Sequence, residues 1–168
     1  MNAEERERLF LELFQEYRER ILRLCRGYLD SPDDAEDLFQ EIMTRVWHNL
    51  PGFRGEARAS TWLYRIAVNS ALLFRGKRMA SAPLRDVADG GAAPPEEIEK
   101  RERVAALDRA IAALPEQDRL IATLLLEGLS YKEIAEIAGI TVNYVGVKIA
   151  RIKQALEKLL GEFGYGRV

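Results

Sequence analysis

The chain carries a single cysteine, Cys25, and a single histidine, His48, in 168 residues. One thiol cannot form an internal disulfide or a multi-cysteine zinc site. Cys25 falls on the apolar side of a predicted helix with Ile21, Leu24 and Tyr28, which marks it as a core thiol. One imidazole leaves little from which to build a His-based triad or a metal site. No apolar run reaches the roughly eighteen residues that a membrane span needs. The opening residues MNAEERERLF are charged and lack a signal-peptide hydrophobic region, so the protein is expected to stay in the cytosol. Strand-type alternation and internal repeats are missing too. No nucleophile–base pair or phosphate-cradling loop can be assembled. An enzyme is therefore not expected, nor a cofactor, nor a small-molecule substrate.

What is present is helical periodicity with one long break. A first helix over about Ala3 to Tyr28 aligns Leu9, Leu13, Tyr17, Ile21 and Leu24. Ser31 as N-cap and Pro32 at the first helical position start a second, with acids in its first turn. It runs to about Leu50 and turns Ala35, Leu38, Phe39, Ile42, Val46 and Trp47 inward, until Pro51 and Gly52 end it. After the loop FRGEARAS, Ser60 or Thr61 is expected to cap a third helix through Trp62, Leu63, Ile66, Ala67, Leu73 and Phe74. Residues 80–95, ASAPLRDVADGGAAPP, lack periodicity and read as a linker. Helix resumes near Glu96, runs to Leu114, and starts again at Pro115. The expected fold is all-α, with two small helical domains over residues 1–79 and 96–168.

Net charge is −2, but the charge is segregated. Residues 1–37 balance at −5, residues 38–82 at +5, residues 83–128 at −4 and residues 129–168 at +2. Two basic blocks between acidic ones suggest two nucleic-acid contacts on a chain that also meets a protein partner.

The segment Ser130–Leu160 is the most informative stretch. Ser130 and Glu133 form an S-x-x-E capping box, and Ile134, Ala135 and Ala138 give a short helix one apolar side. Gly139 suits a sharp turn, and Thr141 can cap the next helix. There Val142, Val145, Ile149, Ile152, Leu156 and Leu159 share one face, leaving Asn143, Tyr144, Lys148, Arg151 and Gln154 outward. This is the layout of a DNA-binding helix-turn-helix; the plainer reading is a helical hairpin with a solvated basic face.

Two further surfaces lie in the first domain. The outward side of the second helix carries Asp33, Asp37, Gln40, Glu41 and Thr44, which also suits a solvated helix start. From Phe53 to Arg78, Phe53, Trp62, Tyr64 and Phe74 interleave with Arg54, Arg58, Arg65, Arg75, Lys77 and Arg78. Charge that tracks phosphates, beside rings that stack on bases, is what single-stranded DNA requires. Trp62 and Phe74 read as core, whereas the loop position of Phe53 leaves its exposure open.

Together DAEDLFQE (Asp34–Glu41), FRGEARASTWLYRIAVN (Phe53–Asn69), LPEQDR (Leu114–Arg119) and GLSYKEIAEIAGITVNYV (Gly128–Val145) resemble the hallmark segments of extracytoplasmic-function sigma factors. The resemblance covers about residues 5–160. It implies a sigma-2-like and a sigma-4-like domain that bind bacterial core RNA polymerase and promoter DNA. By position, Asp34, Asp37, Gln40 and Glu41 would dock on the β′ clamp helices, with the β flap as a second contact. Phe53, Arg54, Arg65, Asn69, Arg75 and Lys77 would meet the melted minus-ten strand. Asn143, Tyr144, Lys148 and Arg151 would read the minus-thirty-five duplex. The family often has a basic and a small polar residue where this chain has Gly146 and Val147. The resemblance also implies an anti-sigma partner, often membrane-tethered. The short C-terminal run argues against control by an appended domain. Two other readings compete: a decoy that binds an anti-sigma factor alone, disfavoured by the retained basic residues, and a stand-alone helix-turn-helix regulator, which leaves the aromatic-basic loop unused.

Overall fold

The computed structural model describes residues 1–78, 94–162 and 164, and for residues 75–78 the helical backbone alone. Seven α-helices follow in order among these residues, with no strand: α1 Ala3–Tyr28, α2 Pro32–Asn49, α3 Ala59–Arg78, α4 Pro95–Ala112, α5 Glu116–Leu126, α6 Tyr131–Ala138 and α7 Val142–Glu162. A short 3-10 turn, Leu50–Gly52, ends α2. The expected linker lies outside the described residues except for its end, where Pro95 already opens α4.

Local chemistry sets most helix ends. Asn2 and Glu5 close a capping box on α1, and the Ser31 hydroxyl accepts the Asp34 amide at the start of α2. The expected cap of α3 is corrected. That helix opens at Ala59, where the Arg58 carbonyl accepts the Trp62 amide at 3.0 Å. Thr61 is only 3 % exposed and packs inward instead of turning back to the helix end.

Three residues join Tyr28 to Pro32, too few for anything but an antiparallel pair. Arg6 at one end of α1 accordingly meets Trp47 at the far end of α2. Its guanidinium donates to the Trp47 carbonyl at 2.6 Å and sits 4.0 Å from the centre of the indole ring. α3 packs across both helices. Cys25 is fully buried in this core, and burial pushes its thiol up to about 12, so it is an inert core group.

The buried residues form one continuous cluster, from Leu13 in α1 to Ile152 in α7. α1 lies on α4 and α5, and α3 lies on α6. Polar contacts reinforce these seams. Arg23 makes a two-pronged bond to the Glu127 carboxylate at 3.0 Å, and Arg20 donates to the Glu127 carbonyl at 3.0 Å. The Tyr28 hydroxyl donates to Glu116 at 2.5 Å, while buried Arg119 donates to the carbonyls of Tyr28 and Ala112. Gly27 allows the close approach of α1 to α5, since a Cβ there would sit 3.2 Å from Thr123 Cγ2.

Two apolar assignments fail. Leu73 is 53 % exposed and Val142 46 % exposed. Leu73 lies about a quarter-turn off the buried line of Leu63, Ala67 and Phe74, and Val142 begins α7 before the packed part of the helix.

Candidate nucleic-acid interface

The helix-turn-helix forms as the residues dictate. The Ser130 hydroxyl accepts the Glu133 amide at 3.2 Å, and the Glu133 carboxylate accepts the Ser130 amide at 2.8 Å. The Ser130 hydroxyl also donates to that carboxylate at 2.8 Å, and the Ser130 amide first and its hydroxyl second hold the Glu133 carboxyl below the usual glutamate range. Gly139 takes the left-handed conformation, φ 68° and ψ 33°, that ends α6. The Thr141 hydroxyl then accepts the Tyr144 amide at 3.2 Å and starts α7. Val145, Ile149 and Ile152 are buried where α7 packs on α4, α5 and α6, and among the described residues the opposite side of α7 is bare.

Of the five residues expected on that bare side, four are there. Asn143, Tyr144, Arg151 and Gln154 are exposed. Lys148 is not among them. Its ammonium bonds Asp118 on α5 at 2.7 Å, with the two side chains only 15 % and 20 % exposed. The cation is therefore committed within the fold. The signal was legible in the spacing: Lys148 stands three residues after Val145 and four before Ile152, both buried.

α3 and the preceding loop are in different surroundings. Phe53 is half-buried, its ring 4.9 Å from the Trp62 ring, so the loop aromatic leans on the helix. Trp62 itself is half-buried and Phe74 is buried. Tyr64, grouped above with the stacking aromatics, is fully buried, and burial pushes its hydroxyl up to about 12; it belongs to the core. Arg54 and Asn69 are exposed. Arg65 extends onto α6 and donates to the Glu136 carbonyl at 3.0 Å, while Arg58 stands 3.9 Å from the Glu133 carboxylate. The side chains of Arg75 and Lys77 lie outside the described residues. Sequence reasoning missed Asp118 and Glu127 as partners, which no local pattern announces, and read Glu133 only as the capping carboxylate.

On α2, Asp37 and Gln40 are exposed, while Asp34 and Glu41 are half-buried. The Glu41 carboxylate is bound by Arg45 one turn on, at 2.6 Å. Asp37 and Gln40 are thus the outermost of the four.

Comparison with known proteins follows this division of the chain. The family model for sigma-70 region 2 matches residues 13–79, and that for sigma-70 region 4 matches residues 105–156. The RNA polymerase sigma-H factor of Pseudomonas aeruginosa is 33 % identical over 167 residues, covering 91 % of this chain and 86 % of the relative. The ECF RNA polymerase sigma-E factor of Escherichia coli is 34 % identical over 165 residues, covering 90 % and 86 %. The ECF RNA polymerase sigma factor SigM of Mycobacterium tuberculosis is 32 % identical over 163 residues, covering 94 % and 80 %. Among solved structures, CnrH in complex with the cytosolic domain of CnrY shares the fold with a TM-score of 0.71 at 22 % identity, covering 93 % of this chain and 90 % of CnrH. The sigma factor RpoE of Bartonella quintana, in complex with the anti-sigma factor NepR, matches with a TM-score of 0.65 at 22 % identity, covering 89 % and 97 %.

Proposed function

The chain belongs to the extracytoplasmic-function sigma factors of the sigma-70 family, and on that footing we propose how its residues divide the work of promoter recognition. Sigma factors direct RNA polymerase to promoters and are not enzymes. In our reading α2 docks on the β′ clamp helices through Asp37 and Gln40, with Asp34 and Glu41 beside them. The helices α4–α7 sit at the β flap and lay α7 in the major groove of the minus-thirty-five duplex. Asn143 and Tyr144 reach base edges there, and Arg151 reaches the backbone. Phe53, Arg54 and Asn69, with Arg65, Arg75 and Lys77, take the melted minus-ten strand, where rings stack on unpaired bases and cations follow phosphates. The single observation that carries this reading is the capped, glycine-turned α6–α7 pair, whose α7 exposes Asn143, Tyr144, Arg151 and Gln154.

The α3–α6 seam adds a requirement. Arg65 cannot follow a DNA strand while it donates to Glu136, so polymerase binding must part α3 from α6. RpoE of Bartonella quintana was solved with an anti-sigma factor and CnrH with the cytosolic domain of CnrY. By analogy we propose an anti-sigma partner for this chain, anchored at the membrane.

Reconstituted transcription with bacterial core polymerase over a promoter library tests the reading. Discrete start sites absent with core alone are expected, and Asp37→Lys with Gln40→Ala should weaken core binding while helical content stays unchanged. Start-site choice no different from core alone would overturn it.

A further inference from the structure

The bare side of α7 has an apolar centre. Asn143, Val147, Ala150, Arg151 and Gln154 follow one another along it at helical spacing, and all five are exposed. Val147 is 47 % exposed although Val145 and Ile149, two residues to either side, are buried. The exposed neighbours of Val147 one turn away are Asn143, Tyr144, Ala150 and Arg151. Gly146 has no side chain, and a Cβ there would meet the Tyr131 ring at 3.9 Å, away from the bare side. Lys148 is held by Asp118. An isopropyl and a methyl group are thus flanked by the amides of Asn143 and Gln154 and the guanidinium of Arg151.

Base edges in the major groove are donors and acceptors, with one exception: thymine carries a methyl group at C5. Valine against a donor or acceptor would strip it of water and return no hydrogen bond. Against a methyl it buries apolar surface on both sides. Exposed Arg151 and Lys153 on the same helix suit a phosphate-lined partner rather than another apolar surface. Resting on the reading of α7 as the recognition helix, we propose that Val147, with Ala150 beside it, determines specificity by reading thymine 5-methyl groups in the minus-thirty-five duplex. The usual basic and polar pair is absent here, and methyl contact takes its place.

The test uses the full chain with core polymerase and duplex promoters selected from a library randomised over the minus-thirty-five element. In a selected duplex each thymine is replaced in turn by uracil, which removes only the methyl. At one or two positions the replacement should lower affinity roughly three- to fourfold, about the effect of losing one buried methyl. Val147→Ala should lose a similar factor on the thymine duplex and become indifferent to uracil at those positions. Val147→Ile should keep the thymine preference. Val147 is exposed, so these variants keep the fold, and unchanged helical content confirms it.

Uracil that matters nowhere, or matters equally in Val147→Ala, overturns the proposal. In that case a duplex still weakened by Arg151→Ala leaves α7 as the recognition helix. Duplex binding indifferent to Arg151→Ala as well would mean that α7 does not read DNA, and both readings fall. Elution of DNA by an anti-sigma protein that needs Val147, with no uracil effect, would reassign the patch to that partner and overturn the methyl reading.

Discussion

α3 lies against α6 and commits Arg65 to it, whereas α7 turns its outer side away from the other described helices. In our proposal each helix brings an arginine to DNA, Arg65 on α3 and Arg151 on α7. Arg65 donates to Glu136 and Arg58 faces Glu133, but Arg151 has an open outlook. The difference does not come from the helices' own sequences. It comes from what covers each one: α6 receives the Arg65 guanidinium of α3, but it packs on the apolar side of α7, away from Arg151. A basic residue on a helix face is therefore a DNA contact only in the arrangement that leaves it uncovered.

The most disruptive way to break this contrast is Gly27→Leu. The added Cβ would press on Thr123 at 3.2 Å and wedge α1 from α5, the neighbour of α6 in sequence and space. Overpacking of this kind costs about 1–3 kcal/mol. Gly27 stands in the last turn of α1, so replacing the glycine returns less than the roughly 1 kcal/mol of a helix interior. Small-angle scattering should show a more extended chain, and a single-stranded oligonucleotide should bind more tightly once Arg58 and Arg65 are released. Thr123→Ser removes the opposing methyl yet keeps the hydroxyl that donates to the Arg119 carbonyl at 2.9 Å, so it should partly restore compactness. Unchanged scattering and unchanged strand binding in Gly27→Leu would show that the seam does not cover α3.

A second comparison lies within α7. Lys148→Ala should cost about 1–2 kcal/mol of stability, since it leaves the partly buried Asp118 carboxylate without its cation. Its effect on duplex affinity should be slight. Arg151→Ala should do the reverse, sparing stability and reducing the salt dependence of duplex binding by about one counterion. Denaturant titration and a salt series on the polymerase complex separate the two. Equal salt slopes for both variants would return Lys148 to the DNA face.

How much of this was legible depends on range. The ends of α1 and α2, the Ser130–Glu133 box and the turn at Gly139 rest on residues within four positions of each other, and the sequence displays them. Inward stripes were readable where a full turn packs, as at Val145, Ile149 and Ile152. They failed at Leu73 and Val142, where an apolar residue sits at the margin of the packed face. Partners far apart in the chain could not be read at all. Lys148 and Asp118 are 30 residues apart, Arg65 and Glu136 are 71, and Arg23 and Glu127 are 104. Each side chain alone looked like a solvated charge or a DNA contact.

The gentlest probe of the contrast is acid. The Glu133 carboxyl is held below the usual glutamate range by the Ser130 amide and hydroxyl, with Arg58 a lesser aid. A carboxyl lowered in the folded state adds stability that is complete above its unfolded value and is lost as pH falls through the folded one. Neutral pH should therefore show the full contribution, and the loss should begin only below the ordinary glutamate range. It should appear first at α6, because the box closes the start of that helix. Glu133→Gln keeps an acceptor but no titrating charge, so its stability deficit should shrink as the solution is acidified. Hydrogen exchange of the α6 amides, followed in both proteins down the same pH series, reads the effect where it arises. Wild-type α6 should lose protection in acid relative to its neutral value more than the variant does, while the buried core of α7 changes alike in both. A deficit that grows on acidification would mean that Glu133 is favoured by its proton, and the ionised box would not be what secures the start of α6.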